Sequence, residues 1–422
     1  MGSEWARRPW RAPDREGLKD CATRCVTEAL AHPRCSVCPA ACVSTRFMTA
    51  PRVVPSRIPQ LELLRVIATG GIFLYHLWME IPLRTEGWLG GPLLARLPLL
   101  GVLGVMVFNL ITGFVLSVPY LGHPVPRPLP PALVFFRQRF GRICRYYYPT
   151  LVLWTLVLLV VPAPGQPRAA LLVPFATHLV FLHTLHPSTF FAIVPAFWWL
   201  GLLAQFYLVC PWLLRLYTRV GPGRACLLAC LLPWGAWTGL AHLAHHHPGS
   251  PVALVYYMSY FNLLARLPEF ALGMWLASAW NRALPLLHGH ARAPAARSLR
   301  SAVVGPLLVG LVLVLVLQDP WLQQLGPIFG HLYLLGCCLG GVLAVFRWSW
   351  AVRLGRAPVI LDLAGASYGI YLLHQPLLGY AHHGLAGLCS PASSFVVLLL
   401  GVGFLCYKAA VWFTRAVDRL FR

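Results

Sequence analysis

Apolar runs long enough to cross a bilayer recur along the whole chain, and the polar residues between them are short punctuation. The runs at 97–118, 146–163, 301–318, 326–346 and 393–407 are free or nearly free of charge. With their flanks, each supplies the roughly 20 residues that a helix needs to span about 30 Å of hydrocarbon. Less pure stretches at 59–80, 195–216, 224–243, 257–279 and 362–382, with the last run extended to 414, bring the predicted spans to ten. The pattern predicts an all-α polytopic membrane protein, a bundle of about ten transmembrane helices. No long-period repeat divides the chain, so a transporter built from inverted halves gains no support.

Composition agrees with that reading. The chain is 58% hydrophobic and 11% charged, whereas soluble domains carry about 25% charged residues. Lys+Arg (34) exceed Asp+Glu (12), for a net charge of +22. The arginines lie in short loops beside apolar spans and form no basic domain, so the excess reads as topology under the positive-inside rule. A lipid bilayer is the expected partner and nucleic acid is not.

Arg46, Arg52 and Arg57 precede the first span and place the N-terminus in the cytoplasm. Counting the apolar stretch 169–187 as a span would put Arg215, Arg219 and Arg224 outside and invert every later loop. It is therefore expected to be re-entrant or interfacial, shortened by Pro174 and wet at His178, His183 and His186. Both termini then fall in the cytoplasm, and the cell (inner) membrane is the expected location.

Three segments follow: an N-terminal tail at 1–56, a membrane domain at 57–414 and a cytoplasmic C-terminal tail at 415–422. Residues 1–47 show neither a signal-peptide core nor helical periodicity. They read as a disordered tail or as a mis-called start, with Met48 as the true one. Cys21, Cys25, Cys35, Cys38 and Cys42 cluster there and "CSVC" has zinc-ligand spacing, but either of those readings accounts for the segment without a metal.

The first span, "LELLRVIATGGIFLYHLWME", carries charges that hydrocarbon penalises by about 3 kcal/mol or more each. Arg65 and His76 are eleven residues apart, so they share one helix face roughly 16 Å apart along the axis. Taken alone, His76 is equally well a hydrogen-bonded interior histidine; paired with Arg65 it becomes a candidate base beside an anion site. Glu80, one turn on, could hold its imidazole or cap a solvated helix end. Arg139, Arg142 and Arg145 make a basic stripe at a cytoplasmic helix mouth, suited to topology, to lipid headgroups or to a phosphate clamp.

Several segments together resemble the integral-membrane acyltransferase-3 family, which includes O-antigen, polysaccharide and macrolide O-acyltransferases. "RIPQLELLRVIATGGIFLYHLW" looks like its opening helix, with the arginine, ten residues, histidine pattern at Arg65 and His76 and an acidic residue at Glu62. "VFNLITGFVLS" is similar to a Ser-Gly-Phe helix, with Thr112 in the serine's place. "RQRFGRICRYYYP" resembles an Arg-x-x-Arg motif, matched best by Arg139 and Arg142, and "RLPEFALGMWLA" an arginine–glutamate helix with Arg266 and Glu269. "LAGASYGIYLLHQPLL" matches the closing motif at Ser367, Tyr368, Tyr371, His374 and Pro376. "PAFWWLGLLAQFYLVCPWLL" matches only in part, because Leu203 and Ala204 precede Gln205 where the family has an acidic residue.

The resemblance covers about residues 57–414, in order. It implies a ten-span core and an acyl-CoA donor, expected to be acetyl-CoA, bound from the cytoplasm. The acceptor would be a hydroxyl on a sugar, a glycolipid or a macrolide-like metabolite. On that footing Arg139, Arg142 and Arg145 would bind the CoA phosphates, with Arg65 deeper along the path, and His76 would be the general base. Trp198, Trp199 and Tyr207 would stack on the acceptor, with Arg266, Glu269 and His374 lining the same site. Packing serves as well for the aromatics, mutual neutralisation for Arg266 and Glu269, and an interhelical hydrogen bond for His374, which is otherwise the runner-up base. No step demands a metal. The alternatives are an inactive family member or a small-molecule transporter.

Overall fold

A computed structural model describes residues 58–81, 98–122, 127–161, 168–288, 326–385 and 387–420. The N-terminal tail, its cysteines, Met48 and the predicted span 301–318 lie outside the described residues.

The protein is a helical bundle with no strand among the described residues. Its helices are α1 (Pro59–Glu80), α2 (Pro98–Leu121), α3 (Ala132–Val160), α4 (Leu172–Leu179), α5 (Trp198–Val220), α6 (Pro222–His246) and α7 (Pro251–Ser259). They continue with α8 (Leu263–His288), α9 (Gly326–Arg347), α10 (Ser349–Gly355), α11 (Pro358–Leu385), α12 (Pro391–Val397) and α13 (Gly403–Leu420), a π turn at Leu398–Val402 joining the last two. Seven described helices are long and apolar enough to cross a membrane. The 26-residue α8 and 28-residue α11 match them in length, at roughly 39 and 42 Å. The predicted spans other than 301–318 fall on these long helices, except that 257–279 starts on α7 and crosses a break at 260–262 before it enters α8. Leu231, Leu232, Phe404 and Leu400 are exposed on the outside of the bundle, as lipid-facing residues should be.

The stretch 169–187 is no crossing. It breaks into a 3₁₀ turn at Arg168–Leu171, the eight-residue α4, a second 3₁₀ turn at His183–Leu185 and a single helical turn at Pro187–Phe190. Eight residues of helix span only about 12 Å. Phe181, at the bend, takes a positive φ of 60°. Its ring is held between Phe140 and Tyr147, with which it stacks at 5.1 Å.

The principal pairings run in the order α6, α8, α2, α1, α11, α13. Two of these rest on glycine. A side chain at Gly113 of α2 would strike the carbonyl of Phe270, and one at Gly273 of α8 would strike that of Leu110. The two helices therefore touch backbone to backbone, and they run in the same direction, since Gly122 further along α2 meets Ala277 further along α8. Gly104 and Gly71 seat α1 on α2 in the same way, against Ala68 and Leu100. Between helices in lipid there is little hydrophobic driving force, so close approach at small residues supplies the attraction.

Gly273→Leu is expected to destabilise the bundle by about 1–3 kcal/mol or more, as overpacking does, and to lower the thermal midpoint in detergent. Gly235→Leu on α6, where an added side chain meets nothing within 4 Å, should leave the midpoint unchanged.

Candidate functional site

Two polar constellations occupy the interior. The first lies where α1 meets α11. The tyrosine, histidine and glutamine of "SYGIYLLHQP" stand three and four residues apart, so they share a face of α11. His374, 1% exposed, presents Nε2 to His76 Nδ1 at 3.0 Å, with the rings edge to face at 4.8 Å. His374 Nδ1 lies 2.9 Å from the Tyr371 carbonyl and 3.2 Å from that of Ile370. His76 Nδ1 is also 3.0 Å from the Ile72 carbonyl, one turn back on α1. His76 is only half-buried, and its ring edge meets Tyr75.

The same face of α11 grips the segment that follows the re-entrant stretch. The Tyr371 hydroxyl donates to the Ala196 carbonyl, while the Ala196 N–H donates to Gln375 Oε1 at 2.6 Å. Pro376 has no N–H for the carbonyl four residues back, and Trp154 Nε1 of α3 donates to that Leu372 oxygen at 3.4 Å. Irregular backbone at membrane depth is tolerated only where protein satisfies it; here the helix bearing His374 does so.

The second constellation is sealed. Glu269 on α8 is 0% exposed and Arg266 2%. Arg266 Nη1 donates to Glu269 Oε1 at 2.9 Å and Nε to the Tyr260 carbonyl at 2.9 Å, with the guanidinium 4.2 Å from the Tyr260 ring centre. His331 Nε2 of α9 lies 3.1 Å from the same carboxylate oxygen. Trp199 Nε1, a donor only, bonds Asn109 Oδ1 at 2.8 Å, which obliges the Asn109 amide nitrogen to face Glu269 Oε2, as it does.

These placements revise several of the sequence expectations. Arg266 and Glu269 meet each other and the protein interior, the arrangement expected of mutual neutralisation. Glu80 turns its carboxylate toward Gly379 on α11, and the imidazole set against His76 is that of His374. Arg65 is part-buried and paired with Glu62 at 3.1 Å, so its charge is already met one turn back along the helix. On α3, Arg139 is half-buried with its guanidinium over Phe135 at 5.5 Å, and Arg142 is exposed. Arg145 lies 3.7 Å from Asp418 of α13, a carboxylate that also accepts from the Tyr146 hydroxyl at 2.7 Å. The basic stripe is thus tied to α13, whose helix runs to Leu420, within the stretch expected to be a tail.

Trp198 packs edge to face on Phe261 at 5.2 Å and Tyr207 on Phe140 at 5.7 Å. Both have packing partners, and Tyr207 is buried in the core. Leu203 and Ala204 sit in the same apolar cluster, so the position of the missing acid is filled by hydrocarbon. Gln205 bonds Thr184 Oγ1, the Asn262 side chain and the Leu263 N–H, which ties α5 to the re-entrant stretch and to the start of α8.

Asn109, His331 and Gln375 were not singled out from sequence. The available signal was an amide or imidazole inside an apolar run, as in "VFNLITGF". Removing one partner from a buried ion pair strands the other. Glu269→Ala should therefore cost about 3–5 kcal/mol, read as a large fall in thermal midpoint. Glu269→Gln should fall between Ala and wild type, because its amide can accept from Arg266 but then sets N–H against the Asn109 amide.

A family model described as an acyltransferase domain matches residues 58–413. No curated protein and no solved structure matches the chain. The match takes in both constellations, the glycine-seated helices and the re-entrant stretch, and on that ground the chain belongs to the acyltransferase-3 family.

Proposed function

We propose that the protein is a membrane O-acyltransferase that moves an acyl group, acetyl by preference, from cytoplasmic acyl-CoA to a hydroxyl of a sugar, glycolipid or secondary metabolite. Membership of the family supports acyl transfer. The observation that carries the assignment of a base is His76, half-buried on α1 and clamped by His374 of α11. An accessible imidazole with a fixed ring is what general-base catalysis needs, and such a base contributes roughly 10²–10⁴-fold.

In the reaction, the neutral imidazole of His76 removes the proton of the acceptor hydroxyl as its oxygen attacks the thioester carbonyl. The carbon–sulfur bond then breaks, the ester forms, and the imidazolium returns its proton to the departing thiolate as free CoA thiol. Arg139, Arg142 and Arg145 would hold the phosphates of CoA, whose several negative charges suit guanidinium. Arg142 is the most available of the three, because it is exposed while Arg139 is half-buried and Arg145 faces Asp418. Arg65, compensated by Glu62, would contribute less unless that pair opens. The protein would lie in the cell (inner) membrane with both termini in the cytoplasm.

An inactive member is favoured by one observation, the apolar pair Leu203 and Ala204 before Gln205, where the family has a carboxylate. Release of free thiol from acetyl-CoA by purified protein with sugar, glycolipid and macrolide acceptors separates the two readings; no turnover with any of them would favour the inactive one. Given turnover, His76→Ala is expected to lower kcat by at least about 10²-fold with acyl-CoA binding retained; wild-type turnover in that variant would remove His76 from the mechanism. Arg142→Ala is expected to raise KM for acyl-CoA with a smaller change in kcat. An unchanged KM would move the phosphate site elsewhere.

A further inference from the structure

We infer that His374 is a positioning residue that, together with the Ile72 carbonyl, fixes the tautomer of His76, leaving Nε2 of His76 as the nitrogen that takes the proton. This rests on the reading of His76 as the base and adds which atom acts and what decides it.

His374 Nδ1 has the carbonyls of Tyr371 and Ile370 within 2.9 and 3.2 Å, and a carbonyl oxygen can only accept, so this nitrogen carries a hydrogen. In a neutral imidazole the other nitrogen is then bare, which makes His374 Nε2 an acceptor. His76 Nδ1 lies 3.0 Å from that acceptor and 3.0 Å from the Ile72 carbonyl. Both of its neighbours accept, so His76 Nδ1 also carries a hydrogen. The lone pair of neutral His76 is therefore on Nε2.

Two consequences follow from the chemistry. When Nε2 takes a proton the imidazolium keeps both Nδ1–H contacts, so no hydrogen bond has to be broken or made as charge develops. Such donors and acceptors, fixed before the reaction, are the usual source of electrostatic stabilisation. The orienting group is also uncharged. A carboxylate in the place of His374, 1% exposed at membrane depth, would add a buried ion there. A second imidazole gives the same acceptor without it. The cost is carried by the helix backbone, whose Tyr371 and Ile370 carbonyls each use a further lone pair.

The test uses the full-length protein in detergent with acetyl-CoA and whichever acceptor supports thiol release. His374→Leu removes the acceptor; it should lower kcat on the order of 10²-fold and leave KM for acetyl-CoA within about twofold. His374→Gln supplies an amide oxygen to the same Nδ1–H and should restore kcat to within about tenfold of wild type. A purely structural role would make the two variants fall together, or move KM with kcat, and either result overturns the proposal. Ring-¹⁵N spectra of wild-type protein labelled in histidine, with His76 assigned by its loss in His76→Ala, should show protonated Nδ1 and bare Nε2 for His76. The opposite tautomer overturns the proposal whether or not the variants fold. The spectra also separate it from the base assignment: if His76→Ala stays active while the tautomer is as stated, it is the base reading that fails.

Discussion

A carboxylate cannot stand alone in hydrocarbon, and Glu269 is wholly enclosed by the bundle. Its two oxygens must be met by the protein, and the groups that meet them come from different helices: Arg266 from α8 itself, His331 from α9, and Asn109 from α2, which is in turn held by Trp199 of α5. Four helices are thus fixed in rotation and depth by one side chain. Interhelical hydrogen bonds in membranes are individually modest, averaging about 0.6 kcal/mol. Their force here lies in the alternative, an unpaired buried ion, which is far more costly.

Close packing works with that network. The glycines of α2 and α8 let the backbones touch one turn from Asn109 and from Glu269, which brings an amide side chain as short as asparagine within reach of the carboxylate. A larger residue at Gly113 or Gly273 would push the helices apart and stretch the bonds around Glu269. Small residues and polar residues are therefore one device, the first setting the distance and the second the register.

The same logic decides what the sequence could reveal. Hydrophobic runs show where helices lie because spanning lipid demands length, and arginine placement showed that 169–187 does not cross. The shared face of Arg65 and His76 was readable from their spacing alone. What spacing cannot show is the partner. His76 and His374 are 298 residues apart and Asn109 and Glu269 are 160 apart, and nothing local in either segment names the other. Glu80 was the nearest polar neighbour in sequence, and Gly379 of α11 lies against it instead. The three-residue spacing of Arg266 and Glu269 suggests their mutual pairing, but it does not name the groups of α2 and α9 that complete it.

The re-entrant stretch connects these constraints to the site. Its backbone is irregular, and named groups satisfy it inside the bundle: the Tyr147 hydroxyl at the His178 carbonyl and Asn262 at the Thr184 carbonyl, while its own His183 reaches the Phe197 carbonyl. Just beyond it, Ala196 is bound through both of its backbone groups by Tyr371 and Gln375, the residues that flank His374 on α11. Trp199, three residues on, bonds Asn109 and lies edge to face with Tyr371 at 5.5 Å. The sealed ion pair and the histidine pair are consequently anchored to the same short segment, 196–199. The buried charges and the histidine pair therefore share one support: Trp199 holds Asn109 beside Glu269, and Ala196 is held by the helix that carries His374.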